Sequence, residues 1–470
     1  MNEPRLIWKV ITLVLTLTCH SLTAQVTNNS IDKLEKKIDS LILSNMESEH
    51  ILGVSYIVVK DGKTILKKGY GYATLGKESK PVNPDSTIFR IGSITKTFTA
   101  TALLQLKDRN LIDLNKDVNH YLKSVKVPET YKKPVTASNL LTHSAGFDEL
   151  KGRVVYKKEQ QIPLKLFLDG KLVRLREPGT VPAYSTYGIA LAGLLVEDIS
   201  RLTLEEYMKK NIWKPLGMTM TSIELPKNKD KYLSIGYEYK NGINVPQPWE
   251  WYHTYPASSI NSTAADMGKY LQMLLNLGKF NDEKILNKET ALSMQTQQLS
   301  LNSEVYGFAF GFYEKNQFGL KAYNHGGDML GYSSFITFVP EINLGIFVVH
   351  HHENTNLRDK VTSQILEHFG NKTIINPDPE RINNSVSKFT GVYKWMSECY
   401  TCPNSDKQTT YELTANPDNT LSGFGRKFYQ VEPLLFKSYD GKRIMGFLQN
   451  ENGKIKFMSL GNVNAYEKVE

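Results

Sequence analysis

Apolar residues at Ile31, Leu34, Ile38, Leu41 and Ile42 recur at the spacing of one helix face, behind a Ser30 suited to cap the first turn. They predict an amphipathic helix over Ser30 to Leu43. The period then changes. The apolar runs Val54 to Val59 and Thr64 to Tyr72 flank Asp61-Gly62, whose tolerance of positive φ predicts a tight β-hairpin. From Ile94 to about residue 270 the pattern is mostly helical, with loops at Pro128, Pro134, Pro178 and Pro182. Strand-like runs return at Phe335 to Val339 and Leu344 to His350. A last helix carries Leu357, Val361, Ile365 and Phe369 on one face, with Gly370 placed where left-handed backbone would end it.

The two ends of the chain read differently. Arg5 and Lys9 precede the apolar run Val10 to Leu17, and Leu22-Thr23-Ala24 offers a small residue before Gln25, the layout of a secretory signal peptide over residues 1–24. Cys19 lies inside it, in a context poor for lipidation. No later stretch approaches the ~20 apolar residues of a membrane span, so the mature chain is expected in the periplasm or secreted, without a transmembrane segment. Residues 25–370 read as one domain. Asn376-Pro377-Asp378-Pro379 stiffens a linker over 371–385, and residues 386–470 read as a β-meander, turning at Asn416-Pro417-Asp418-Asn419, Asp440-Gly441 and Asn452-Gly453.

Composition narrows the class. The 470 residues are 40% hydrophobic and carry a formal charge of +9 without any Lys/Arg block in the mature part, which argues against disorder and against a nucleic-acid footprint. A mild attraction to anionic envelope polymers fits that charge. Cys399 and Cys402 form a lone C-x-x-C, read as a local disulfide because no second Cys/His pair lies near enough to complete a zinc site.

Candidate chemistry centres on Arg90-Ile91-Gly92-Ser93-Ile94-Thr95-Lys96, which opens a helix of small and apolar residues. Residues i and i+3 share a helix face, so Lys96 stands beside Ser93. A lysine can activate a serine hydroxyl if burial lowers its pKa toward neutrality. Ser-x-x-Lys alone says little, for it occurs also at Ser30/Lys33 and Ser385/Lys388. The copy at Ser93 keeps distinctive company: Leu140 to Phe147 with His143-Ser144-Ala145-Gly146, Glu177-Pro178-Gly179-Thr180, Tyr184-Ser185-Thr186-Tyr187-Gly188, Ser262 to Asp266, and His325-Gly326-Gly327.

Over roughly residues 30–370 this ordered set resembles the serine β-lactamase/penicillin-binding protein superfamily, in its class C branch with esterase, D-aminopeptidase and DD-peptidase relatives. The resemblance implies an α/β (α+β) fold in which an antiparallel sheet stands beside a helical subdomain with the active site between them. The β-rich tail resembles the small barrel-like C-terminal domains of such relatives. On that reading Ser93 is the acylated nucleophile, Lys96 its base and Tyr184 the second proton handler, its pKa lowered between two cations. His325, Gly326 and Gly327 border the cleft with Thr186, and the backbone N–H groups of Ser93 and Asp328 form the oxyanion hole. The two glycines would let a substrate backbone approach the strand edge. No metal or cofactor is called for.

Departures from the family pattern shape the substrate expectation. Thr186 stands where Asn is common, and His325-Gly326-Gly327 replaces Lys-Thr-Gly, removing a permanent cation and a hydroxyl that would hold a carboxylate. The expectation is a peptide, amide or ester hydrolase with weak or no β-lactamase activity. The alternatives are a silent binder of envelope peptides, a true class C β-lactamase, and a hydrolase centred on Ser144 through its partial G-x-S-x-G. His350-His351-His352 reads as a solvated strand end, and Trp249, Trp251, Tyr252 and Tyr255 as either an acyl pocket or core. Thr263 with Asp266 reads as a helix cap.

Overall fold

The computed structural model describes residues 29–469, apart from 77–78, 225–226, 303–304, 354, 371–379, 404–407 and 462–464. The expected signal peptide and most of the expected linker lie outside the described residues. Helix α1, residues 29–48, buries Leu34, Ile38 and Ile42 completely, as its apolar stripe requires. Ser30 lies within it and bonds His368 at 3.1 Å instead of capping. Strands β1 (Gly53–Lys60) and β2 (Lys63–Thr74) pair antiparallel around Asp61 and Gly62, both at positive φ, so the hairpin is borne out.

The remaining long strands are β3 (Phe312–Gln317), β4 (Leu320–Met329), β5 (Tyr332–Val339) and β6 (Leu344–His351). With Phe308–Ala309 and Lys80–Pro81 at its edges, the antiparallel sheet runs in the order β3-β4-β5-β6-β1-β2. Helix α1 and the C-terminal helix of the domain, Leu357–Phe369, cover one face of the sheet. That helix does not end on left-handed backbone. Gly370 is extended (φ −78°, ψ 160°), and a Cβ there would press on Phe318, so the glycine answers close packing rather than a turn.

The other face packs on the helical subdomain. Within it α2 (Thr95–Asp108) is buried from Thr95 to Leu106, which explains its run of Thr and Ala: an all-round buried helix needs small residues to let neighbours close in. Helix α3 (Thr186–Ser200) packs against it. Helix α4 (Ala264–Leu275) rests on β1 and β6, capped by Thr263 accepting from the Asp266 N–H at 3.2 Å, as expected.

Because β6 is a central strand covered on both sides, its C-terminal end is not solvated. His350 and His351 are fully buried, His351 among the rings of Phe89, Tyr237 and Tyr332, and burial lowers its pKa to about 3 and that of His350 to about 4. The expected solvated end is thereby corrected to a neutral aromatic core. Beyond the linker, eight strands from Gly391–Trp395 to Ala465–Lys468 close into a barrel through pairing of the first strand with the last. Its turns fall at 416–419, 440–441 and 452–453. Cys399 and Cys402 are joined in a disulfide. Among the described residues no helix is long and apolar enough to cross a membrane.

Candidate active site

Ser93 sits in a single tight turn, Gly92–Ile94, that leads directly into α2. Gly92 adopts φ +52°, a region that strains other residues, and a Cβ on it would stand 3.0 Å from the backbone nitrogen of Asp328. The serine turn and the end of β4 are therefore in contact, which brings the Ser93 and Asp328 segments side by side. Gly327 serves the same contact. A Cβ there would collide with the Ile91 carbonyl, so the space this glycine leaves is filled by the protein itself. The space above Gly326 faces Arg358 and Phe335, away from the cleft.

Lys96 is 1% exposed, and its Nζ lies 3.0 Å from Ser93 Oγ and 2.9 Å from the Ala257 carbonyl oxygen. Burial brings its pKa down from 10.5 to about 7, against the opposing pull of Glu149. At neutral pH a large fraction of this amine is uncharged, with a lone pair available to the serine hydroxyl. The Nζ also stands 4.9 Å from the centre of the Tyr184 ring.

Tyr184 lies beside this pair, close enough to Ser93 for the serine to oppose part of the rise in its pKa, so Ser93, Lys96 and Tyr184 form one cluster. The tyrosine's pKa is raised, not lowered as expected. Burial is the largest cause, reinforced by Tyr313 and Glu149, and it outweighs the opposing effects of Ser93 and the Arg153 charge. Tyr184 therefore rests as a phenol, able to give a proton. The His143 ring stacks on it at 4.6 Å, while His143 Nδ1 accepts from the Ser185 N–H at 3.0 Å and the His143 carbonyl from the Ala183 N–H at 2.8 Å.

His325 is buried, and burial with the nearby Lys96 charge pushes its pKa down to about 3. Its Nδ1 lies 2.7 Å from the Gly326 carbonyl, which can only accept, so Nδ1 carries the proton and Nε2 is left as an acceptor without a protein partner. The pairing of β4 with β3 runs from Leu320 to Asn324, so His325 to Met329 have β5 on one side and, among the described residues, no strand on the other. Asp328 turns its carboxylate to Ser333 (2.8 Å) and Arg358 (2.7 Å).

Three contributors escaped the sequence reading. Glu149 (8% exposed) accepts the N–H groups of Thr186 (2.6 Å) and Tyr187 (3.3 Å) at the start of α3, and pairs with Arg153. The Ala257 carbonyl orients Lys96. Tyr313 lies 5.7 Å from the His325 ring. Ser144 is excluded as a nucleophile: it is 1% exposed and its Oγ bonds only Thr142 and Asn139. Trp249, Trp251, Tyr252 and Tyr255 line a cavity of about 510 Å³ in which Arg90 stacks on Trp249 at 4.0 Å, and Tyr252 and Tyr255 also pack against the core, as the second of the two readings expected.

A serine beside a buried, near-neutral lysine and a phenolic tyrosine has the chemistry that acyl transfer at a serine requires. The chain belongs to the Beta-lactamase family, whose model matches residues 38–368. It is 27% identical over 359 residues to protein flp of Staphylococcus aureus strain N315, a match covering 75% of this chain and 68% of that protein. Among solved structures it is similar to the octameric penicillin-binding protein homologue from Pyrococcus abyssi, with a TM-score of 0.62 and 25% identity over 92% of this chain and 99% of the other. That alignment extends over the barrel. A class C β-lactamase matches with a TM-score of 0.61 and 21% identity over 71% of this chain and 96% of its own, a likeness of fold.

Proposed function

We propose that this β-lactamase-family serine hydrolase is exported and turns over peptide, amide or ester substrates through an acyl-enzyme on Ser93. The observation that carries the reading is Lys96 Nζ at 3.0 Å from Ser93 Oγ, with its pKa brought to about 7. Lys96 takes the serine proton as the oxygen attacks the carbonyl. The oxyanion is received by the Ser93 and Asp328 amides, and Tyr184 protonates the leaving group. Water then releases the acyl group by the reverse assignment of acid and base.

The substrate reading follows from His325. A buried neutral imidazole gives no ionic hold on a carboxylate, so β-lactam turnover is weak. Beyond the Gly326 carbonyl, already taken by His325, and the Asp328 amide, assigned to the oxyanion, the Asp328 carbonyl remains to align an acyl chain along β4. Small peptides or esters from the cell envelope fit this site.

The test is labelling by a fluorophosphonate serine probe together with hydrolysis of p-nitrophenyl acetate. Both are expected to be lost in Ser93→Ala, and ester turnover to fall at least ~10²-fold in Lys96→Ala. Full labelling of Ser93→Ala would sink the assignment.

A further inference from the structure

The barrel is fastened to the segment that carries Tyr184. Val181 and Ala183, just ahead of the tyrosine, pack with Leu301 against Met396, Leu448, Phe457 and Ala465 of the barrel. Arg176 pairs with Glu467 at 2.8 Å across the same seam. Further along it, the loop closed by the Cys399–Cys402 disulfide reaches Asp148, which is 1% exposed. The N–H groups of Tyr400 (2.8 Å) and Thr401 (3.0 Å) and the Thr401 hydroxyl (2.7 Å) all donate to its carboxylate. Apart from the adjoining Glu149 N–H at 3.0 Å, every N–H or O–H donor that Asp148 receives comes from the barrel.

The next residue in the chain is Glu149, whose carboxylate holds the Thr186 and Tyr187 N–H groups. A chain of three links thus runs from the disulfide loop to Asp148, from Asp148 to Glu149, and from Glu149 to the helix start two residues past Tyr184. A buried carboxylate stripped of its donors is costly, so loop and Asp148 hold each other in place.

We propose that Asp148 and the disulfide-closed loop 399–402 are positioning elements for Tyr184, through which the barrel sets the rate of the hydrolase. The proposal rests on the reading of Tyr184 as proton donor. A donor has to meet the leaving group within hydrogen-bond reach, and a displacement of ~1 Å is enough to cost ~10²-fold in rate. The Cys399–Cys402 bridge keeps the two donating amides pointed at one carboxylate, and Cys402 is partly exposed, so a reductant can reach it.

The full-length protein and its Asp148→Asn, Thr401→Val and Cys399→Ser/Cys402→Ser variants are compared in p-nitrophenyl ester hydrolysis. The unsubstituted protein is also assayed after dithiothreitol. That dithiol gives two electrons and two protons to the bridge, leaving two thiols, and itself closes to a cyclic disulfide. We expect kcat to fall about tenfold or more in Asp148→Asn, in the double variant and in the reduced protein, with KM held within about twofold. Thr401→Val removes one hydroxyl from an exposed residue, keeps the fold, and gives a smaller fall in kcat. The lower pH limb, which belongs to Lys96, stays in place throughout. Wild-type kcat in both Thr401→Val and the reduced protein overturns the proposal, as does a loss expressed only in KM. Ser93→Ala separates the two readings: activity surviving there removes the acyl-enzyme, whereas activity lost there but intact in all loop variants removes only the coupling.

Discussion

The Nζ of Lys96 donates to the Ala257 carbonyl at 2.9 Å, and this bond fixes what the amine can do for Ser93. A carbonyl accepts and never donates, so one amine proton is committed to Ala257. The uncharged amine then has its lone pair free for the serine hydroxyl 3.0 Å away. Protonation at about 7 removes that lone pair. The activity kcat/KM toward a neutral ester is therefore expected to rise about tenfold per pH unit on the acid side and level off above a midpoint near 7. A profile flat from about pH 5 to 9 would contradict Lys96 as the base.

The burial that tunes Lys96 also costs stability. Its pKa is 10.5 in the unfolded chain and about 7 when folded, so between those values the unfolded state binds more protons and stability rises with pH across that window. Lys96→Met removes the penalty and loses the two amine contacts, to Ala257 and Ser93. It is expected to melt higher at pH 7, by about 1 kcal/mol or more, while ester turnover disappears. Thermal unfolding at pH 7 and pH 10 checks this: the gain has to shrink at the higher pH. A variant that melts lower than the parent at both values would refute the account.

What the sequence shows and hides follows the range of the interactions. The Asp61-Gly62 hairpin and the Ser93/Lys96 pair were legible because each depends on neighbours within a few residues: a positive-φ turn, and one helical turn. Glu149, Ala257 and Tyr313 were not, because Glu149 reaches helix α3 37 residues away and Ala257 meets Lys96 across 161. Only the tertiary fold sets those distances. His350 and His351 misled for a related reason. Histidine reads as polar, but a strand covered on both faces has no solvent side, and burial holds both imidazoles neutral, His351 among aromatic rings. The raised pKa of Tyr184 has the same origin, since the sequence displays cations without showing how deeply the phenol is buried.

His325 leads to a prediction about charge on the substrate. Its Nδ1 is bound to Gly326, its Nε2 is buried, and with a pKa near 3 it gains no charge at working pH. Matched pairs of ester substrates, one neutral and one with a carboxylate beside the acyl group, are expected to show kcat/KM lower for the anionic member by about tenfold or more, the reverse of what a lysine here would give. The ratio should hold from about pH 5 to 8 because both members share the Lys96 limb. Preference for the anionic ester would show that a cation faces the substrate after all.

Two adjoining glycines separate packing from substrate contact. A Cβ on Gly327 would collide with the Ile91 carbonyl and stand 2.7 Å from Ser334 Oγ, so β4 would have to lift off the turn that holds Ser93. A Cβ on Gly326 meets only Arg358 Nη2 at 3.4 Å and Phe335 at 3.6 Å, ordinary contact distances. Gly327→Ala is therefore expected to destabilise the fold by about 1–3 kcal/mol, the cost of overpacking. Displacing the Asp328 amide from the oxyanion site should lower kcat by ~10² or more. Gly326→Ala should cost far less in both measurements. Equal damage from the two substitutions, read by thermal melts and p-nitrophenyl ester turnover, would mean that the contact between β4 and the serine turn is not what sets the geometry of the site.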